Sequence, residues 1–102
     1  MNLQRKAGPH MLSGLRILDL GTMVAGPVAC TLFADFGAEV IKVEVPRRGD
    51  TVRDLGPFVE DRCLYWSVEA RNKKSVTLDL RTPEGKALLF RLVAEADGRC
   101  DP

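Results

Sequence analysis

The sequence lacks the features that mark several large classes of protein. No run approaches the roughly 18 consecutive apolar residues of a membrane-spanning helix. No apolar core follows the basic residues Arg5 and Lys6, as a secretory signal requires. Fifteen basic and fourteen acidic residues give a net charge of +1, without the basic excess of a general nucleic-acid binder. We therefore expect neither nucleic acid nor membrane as a partner.

Cysteine is also scarce. The three cysteines, Cys30, Cys63 and Cys100, stand far apart in the chain, and none belongs to a C-x-x-C pair. An odd and widely spaced set argues against a disulfide framework and against a zinc site. Buried or free thiols are expected, which indicates a reducing cytoplasm. No residue is predicted to bind a metal.

The composition that remains is that of one small globular domain. The 102 residues are 45% hydrophobic and 28% charged. Residues 1–11 are predicted to be a disordered extension in which Met11 is a second candidate start. Residues 12–97 form the predicted folded portion, and residues 98–102 a short tail.

The first half of the folded portion predicts a β-α-β unit. An aliphatic strand at 15–20 is followed by a turn, and Pro27 suits the first position of a helix. Gly37 ends that helix, and alternation predicts a second strand at 39–45. One helical face carries four apolar residues: Ala29, Leu32, Phe33 and Phe36. Such a unit is right-handed and places its two strands in parallel.

The second half predicts a long connection, a strand and a helix. Residues 46 to about 70 are rich in turns, and 64–68 fits either a short helix or a strand. Alternation predicts a third strand at 75–80, and Thr82 begins a helix. An apolar stripe follows at Leu88, Leu89, Leu92 and Val93.

No apolar strand is recognisable after Asp97. The predicted fold class is therefore α/β, a partial Rossmann-like parallel sheet with βαβ units, truncated after the second long helix. An apolar stripe without a covering strand predicts marginal stability or self-association.

The turn between the first strand and the first helix raises the question of a dinucleotide site. Gly21 and Gly26 flank it, and Glu44 ends the second strand about where a ribose-binding acid stands. The spacing lacks the G-x-G-x-x-G fingerprint, however, and Pro27 removes one amide donor. These residues alone favour a plain tight turn over an NAD site.

An ordered set of short motifs is more specific. GLRILDL at 14–20, VAGP at 24–27 and LFADFGAEVIKVE at 32–44 are followed by RNKKS at 71–75 and LDLRTPEG at 78–85. This set resembles the opening of family III CoA-transferases, over residues 12–97. The family includes formyl-CoA transferase, carnitine CoA-transferase and α-methylacyl-CoA racemase.

The resemblance implies a coenzyme A site at the carboxyl ends of the strands. Six positions match family residues that contact CoA: Val24, Ala25, Leu78, Asp79, Leu80 and Arg81. It also implies acyl-CoA and a carboxylic acid as substrates, no tightly bound cofactor, and a homodimer for full-length members. Val45 stands where the family usually has a nucleotide-binding arginine, and Arg47 or Arg48 is our hypothesis for its replacement.

The resemblance places the catalytic aspartate, which forms an aspartyl-CoA intermediate, further along than this sequence extends. None of the aspartates present matches it, so no catalytic residue is predicted and the chain alone is expected to be inactive. Three interpretations stay open. They are the N-terminal portion of a CoA-transferase, the same portion of an acyl-CoA racemase, and a non-catalytic remnant that binds CoA or interacts with a partner.

Overall fold

The computed structural model describes residues 8–22 and 24–101, and a parallel sheet lies at its centre. In chain order the elements are β1 (Arg16–Asp19), α1 (Ala25–Asp35), β2 (Glu39–Glu44), a 3₁₀ helix (Thr51–Asp54), β3 (Phe58–Val59), β4 (Arg62–Cys63), α2 (Leu64–Glu69), β5 (Lys73–Thr77), α3 (Pro83–Ala94) and β6 (Gly98–Cys100). Four strands pair in parallel in the order β5-β2-β1-β6, while β3 and β4 form an antiparallel pair. The predicted α/β class is confirmed.

The strand order has one reversal. From β1 the sheet grows through β2 to β5, and α3 then returns the chain to the other side of β1, where β6 pairs. This is the order of the first four strands of a Rossmann fold, and its reversal point lies between β1 and β6. Beyond the paired residues, the Leu20 amide donates to the Cys100 carbonyl at 2.9 Å.

The expectation that no strand follows α3 is wrong. β6 pairs with β1 over three residues, with Ile17 opposite Gly98 and Asp19 opposite Cys100. The sequence Gly98–Cys100 contains no aliphatic residue, so hydrophobic periodicity does not reveal it. Backbone pairing with a buried neighbour forms this strand, and residues 98–100 belong to the sheet.

Helix α1 forms where predicted but faces the other way. Leu32, Phe33 and Phe36 are 40–53% exposed, and the helix buries four smaller or β-branched residues instead: Pro27, Cys30, Thr31 and Ala34. Small side chains let the helix backbone approach the sheet closely, so they make the contact. Cys30 and Ala34 pack there in one core cluster with Ile17 and Val40.

The remaining elements refine the predicted boundaries. The undecided segment 64–68 lies in helix α2, and β5 at Lys73–Thr77 starts and ends earlier than the predicted 75–80. Thr82 caps α3 as predicted, since its Oγ1 accepts from the Gly85 amide at 3.0 Å.

The predicted apolar stripe of α3 is partly exposed. Leu88 is 45% exposed, whereas the other three stripe residues are half-buried: Leu89, Leu92 and Val93.

The predicted N-terminal extension lies mostly outside the described residues, which begin at Gly8. From His10 the chain is in contact with itself, because the His10 amide donates to Ser13 Oγ at 3.1 Å. Across residues 8–22 and 24–101, no helix combines the length and the apolar character that crossing a membrane requires.

Candidate functional site

A cavity opens where β1, β2 and β5 end. Its volume is about 280 Å³. Its lining comes from the last residues of β2 and from the segments that follow the three strands: Leu20, Gly21, Thr22, Val43, Glu44, Val45, Gly49, Asp50, Thr51, Leu78 and Leu80. Ligands of open α/β sheets bind at this carboxyl edge. We call it the edge cavity.

A second cavity of about 330 Å³ shares Val45 and Leu80 with the edge cavity. We call it the arginine cavity, because Arg48 and Arg81 both line it, together with Asp79. The structure therefore brings the predicted residues 78–81 together around two adjoining cavities. It also places Arg48 beside them, whereas Arg47 is exposed and lines neither cavity.

The other two predicted residues lie on the neighbouring loop. Val24 is the N-cap of α1 and Ala25 its first residue, and both are exposed. Neither lines the edge cavity or the arginine cavity. They share the carboxyl edge of the sheet with residues 78–81 because they follow β1 as those residues follow β5.

Within residues 8–22 and 24–101, the Arg81 side chain is held by a surface ion pair with Asp79. Its side chain is 89% exposed, and its Nε lies 3.1 Å from Asp79 Oδ1. Hydrogen bonds from the side chain and the backbone amide of Arg81 lower the pKa of the Asp79 carboxyl. A surface pair of this kind contributes little to stability, so the guanidinium can turn to another anion at small cost. A guanidinium matches phosphate oxygens in charge and geometry.

Four charged side chains form a buried network beneath the edge cavity. Lys42 Nζ lies 2.6 Å from Asp50 Oδ2 and 3.5 Å from Asp19 Oδ2, and Lys73 Nζ lies 2.8 Å from Asp19 Oδ2. All four side chains are at most 4% exposed. With two ammonium and two carboxylate groups the network is neutral, which buried charges require.

The network also fixes the loops that line the edge cavity. Lys42 Nζ donates to the Gly21 carbonyl at 3.0 Å and binds the carboxylate of Asp50. Asp50 in turn caps the 3₁₀ helix by accepting from the Val52 amide at 2.8 Å. One ammonium group therefore joins the loop after β1 to the loop after β2.

Sequence reasoning missed this network. Strand alternation puts Lys42 on the face of β2 opposite to that of Ile41 and Val43, but it does not show what covers that face. The available signal was a charged residue inside a strand of an α/β fold, because parallel sheets are buried on both faces. A lysine there must find partners.

Both carboxylate oxygens of Glu44, at the end of β2, accept hydrogen bonds from other residues of the protein. Arg53 donates through Nε at 2.8 Å and Nη2 at 2.9 Å. The Asp50 amide donates to Oε1 at 2.8 Å, and Ser75 Oγ donates to Oε2. The hydrogen bonds from Arg53, and then those from Ser75 and the Asp50 amide, lower the pKa of Glu44 to about 2. Arg53 also stacks on Trp66, 4.0 Å from the ring centre. With both oxygens engaged, Glu44 is a structural anchor and not a ribose ligand.

A different cavity, of about 520 Å³, lies between α3 and the sheet. Its wall is largely apolar, with Ile41, Val76 and Leu92, and Arg16 is held there by Glu39 at 3.2 Å. Of the six predicted CoA residues it contains Leu78 alone. The site that sequence and topology indicate is the carboxyl edge, although this cavity is larger.

Gly85 sets the position of the loop that carries Asp79. A Cβ on Gly85 would stand 1.9 Å from the Asp79 carbonyl oxygen, which also accepts from Thr82 Oγ1 at 2.9 Å. In the interior of a helix, alanine is more favourable than glycine by up to about 1 kcal/mol. We nevertheless expect Gly85→Ala to destabilise the protein by about 1–3 kcal/mol, because backbone atoms must move. Urea denaturation measures this loss.

Gly98→Ala is the matched control, because a Cβ there would make only an ordinary contact, 3.4 Å from Ile17 Cδ1. We expect it to change stability by less than about 1 kcal/mol. A Gly85→Ala variant as stable as the parent would show that the loop at Asp79 is not held by this close approach.

Comparison with known proteins identifies relatives over most of the chain. The family model for CoA-transferase family III matches residues 12–98. Succinyl-CoA–D-citramalate CoA-transferase of Chloroflexus aurantiacus is 56% identical over 90 residues, which are 87% of this chain and 22% of that protein. Succinate–glutarate CoA-transferase of Agrobacterium fabrum is 47% identical, over 84% of this chain and 23% of that protein.

Two solved structures superimpose well on this chain. A CAIB/BAIF family protein from Brucella suis superimposes with a TM-score of 0.80 and 42% identity, covering 94% of this chain and 25% of that one. A hypothetical protein from Mycobacterium tuberculosis gives a TM-score of 0.78 at 42% identity, covering 88% of this chain and 24% of that one. The chain thus spans about a quarter or less of the length of these relatives.

Proposed function

Because this chain belongs to CoA-transferase family III, we propose that it binds the coenzyme A portion of an acyl-CoA at the carboxyl edge of its sheet. The observation that carries the proposal is the meeting of Arg48, Arg81 and residues 78–80 around two adjoining cavities. Apolar walls suit the pantetheine arm, and the two guanidinium groups suit the phosphates. CoA is a substrate in this proposal and not a resident cofactor.

The proposed reaction of the whole protein is CoA transfer from an acyl-CoA to a carboxylic acid. Relatives named for succinyl-CoA with D-citramalate and for succinate with glutarate support short dicarboxylic acids as the substrate class. Relatives of this kind favour the transferase over the racemase. Two relatives from Chloroflexus aurantiacus, named as the alpha and beta subunits of succinyl-CoA–L-malate CoA-transferase, support a second family chain as partner. From the family resemblance we propose that this partner is an identical chain. The proposed compartment is the cytoplasm, which the free thiols support.

The nucleophilic aspartate of that reaction is proposed to come from outside these 102 residues. Asp19 and Asp50 are buried in ion pairs with lysines, and Asp35 is paired with Arg71 at 2.7 Å. An attacking carboxylate needs to be open to the thioester carbonyl, which the buried carboxylates of Asp19 and Asp50 are not, and the family resemblance matches none of the aspartates in this chain to the nucleophile. The role of this chain is therefore to hold CoA, while a carboxylate elsewhere exchanges the acyl group.

Calorimetric titration with CoA tests the proposed cradle. We expect the Arg48→Ala, Arg81→Ala double variant to bind CoA at least about tenfold more weakly, because each hydrogen bond to a charged group contributes about 1.5–3 kcal/mol. Pantetheine, which lacks the phosphates, should bind both proteins equally. Arg62→Ala, an exposed arginine on β4, is the matched control.

Unchanged CoA affinity in the double variant would refute the phosphate role of the arginine cavity. A transfer assay on the same samples, with succinyl-CoA and glutarate, tests whether the chain carries its own nucleophile. Turnover by the 102-residue chain would contradict the proposal that the nucleophile lies outside it.

A further inference from the structure

Two cysteines that are 70 positions apart in sequence meet at the reversal point of the sheet. Cys30 Sγ and Cys100 Sγ are 2.9 Å apart. Cys30 is fully buried in α1, and Cys100 ends β6, where it is half-buried. The two thiols are free and in contact. A disulfide bond is about 2.0 Å long, so the two sulfur atoms are less than about 1 Å further apart than in a bond.

The two thiols differ in their readiness to react. Burial raises the pKa of Cys30, and the hydrogen bond with Cys100 and the charge of Asp19 raise it further. A buried thiol with a raised pKa is a poor first nucleophile. Cys100 lies on a three-residue edge strand and is partly open to solvent, so it is the sulfur that a reagent reaches first.

We propose that Cys30 and Cys100 form a reversible disulfide by exchange with a low-molecular-weight disulfide such as oxidised glutathione. The Cys100 thiolate attacks one glutathione sulfur, which forms a mixed disulfide and releases one glutathione thiolate. Cys30 then attacks the Cys100 sulfur, and its proton passes to the departing thiolate, which leaves as the second glutathione. Two protein thiols are oxidised, and one glutathione disulfide is reduced to two thiols.

The crosslink would fix β6 to α1 beside the loop that follows β1. A Cβ on Gly26, within the first turn of α1, would stand only 3.6 Å from Cys100 Cβ. The bond would also close a loop that contains most of the chain, which restricts the unfolded state strongly. We expect the oxidised protein to melt at least about 8 °C higher than the reduced protein.

Incubation of the dilute folded chain with excess oxidised glutathione, followed by peptide mapping without reduction, tests the proposal. We expect two of the three thiols to be lost and an intramolecular Cys30–Cys100 peptide to appear. Cys63 is the matched control, because its thiol is buried and donates to the Val52 carbonyl at 3.3 Å. Cys63→Ser should form the same disulfide.

Two variants separate the steps. Cys30→Ala keeps a small apolar group in the core. In this variant the reaction should stop at the mixed disulfide, with one glutathione attached to Cys100. Cys100→Ser should leave both remaining thiols free. Retention of all three thiols in the folded chain, or a disulfide that involves Cys63 or a second chain, would overturn the proposal.

Discussion

Lys42→Met is expected to lower the free energy of unfolding by about 3–5 kcal/mol, the usual cost of removing one partner from a buried ion pair. Methionine keeps the apolar stem of the side chain and removes the ammonium group. The carboxylate of Asp50 then loses its 2.6 Å partner, and the Gly21 carbonyl loses its donor. The buried network changes from neutral to a net charge of −1.

This loss is comparable with the total stability of a domain of this size, which is about 5–15 kcal/mol. We expect the midpoint of thermal unfolding to fall by more than about 10 °C. Urea denaturation and circular dichroism measure both quantities.

The neighbouring strand supplies a matched control. Lys74 is 71% exposed, and its Nζ lies 3.7 Å from Glu39 Oε1, so Lys74→Met removes only a surface pair. We expect a change within about 0.5 kcal/mol. Equal effects of the two substitutions would show that Lys42 is not bound to buried carboxylates in solution.

Glu44 is expected to make the stability of the protein depend on acid. Its pKa is about 2 in the folded state and 4.5 ordinarily, so the folded state favours the ionised carboxylate. The resulting stabilisation is present above pH 4.5 and is lost as the pH falls towards 2. At 1.36 kcal/mol for each unit of pKa, it amounts to about 2–4 kcal/mol.

Glu44→Gln tests this dependence through urea midpoints measured between pH 2 and pH 7. We expect the variant to be less stable than the parent at pH 7 by about 2–4 kcal/mol, and the difference to shrink as the pH falls below 4.5. Glu60→Gln changes an exposed glutamate in the turn between β3 and β4 and should reproduce the parent profile. Parallel profiles of the parent and Glu44→Gln would rule out this role for the carboxylate.

The elements with clear periodicity were predictable from the sequence. The first strand, helix α1 with its stop at Gly37 and the capped start of α3 at Thr82 were placed within a few residues. The predicted third strand starts later than β5 does, because Lys73 lies inside the strand with its ammonium group buried against Asp19. A pattern that counts lysine as polar begins the strand too late.

Features that depend on long-range pairing were not predictable in this way. β6 is created by hydrogen bonding to β1, and the contact between Cys30 and Cys100 depends on where α3 returns the chain. The candidate site was predicted through family motifs at 78–81, and of the two arginines in our hypothesis, Arg47 and Arg48, the structure has Arg48 beside those residues. The motifs did not reveal the charged network, since its members are spread over four segments of the chain.

The way α1 contacts the sheet has a consequence for substitutions within this helix. Cys30 and Ala34 lie where the helix approaches the core, so a larger side chain at either position has no room. Leu32 and Phe36 face outwards and can exchange for polar residues without leaving a void. We therefore expect a bulkier side chain at Cys30 or Ala34 to destabilise the fold more than a polar one at Leu32 or Phe36.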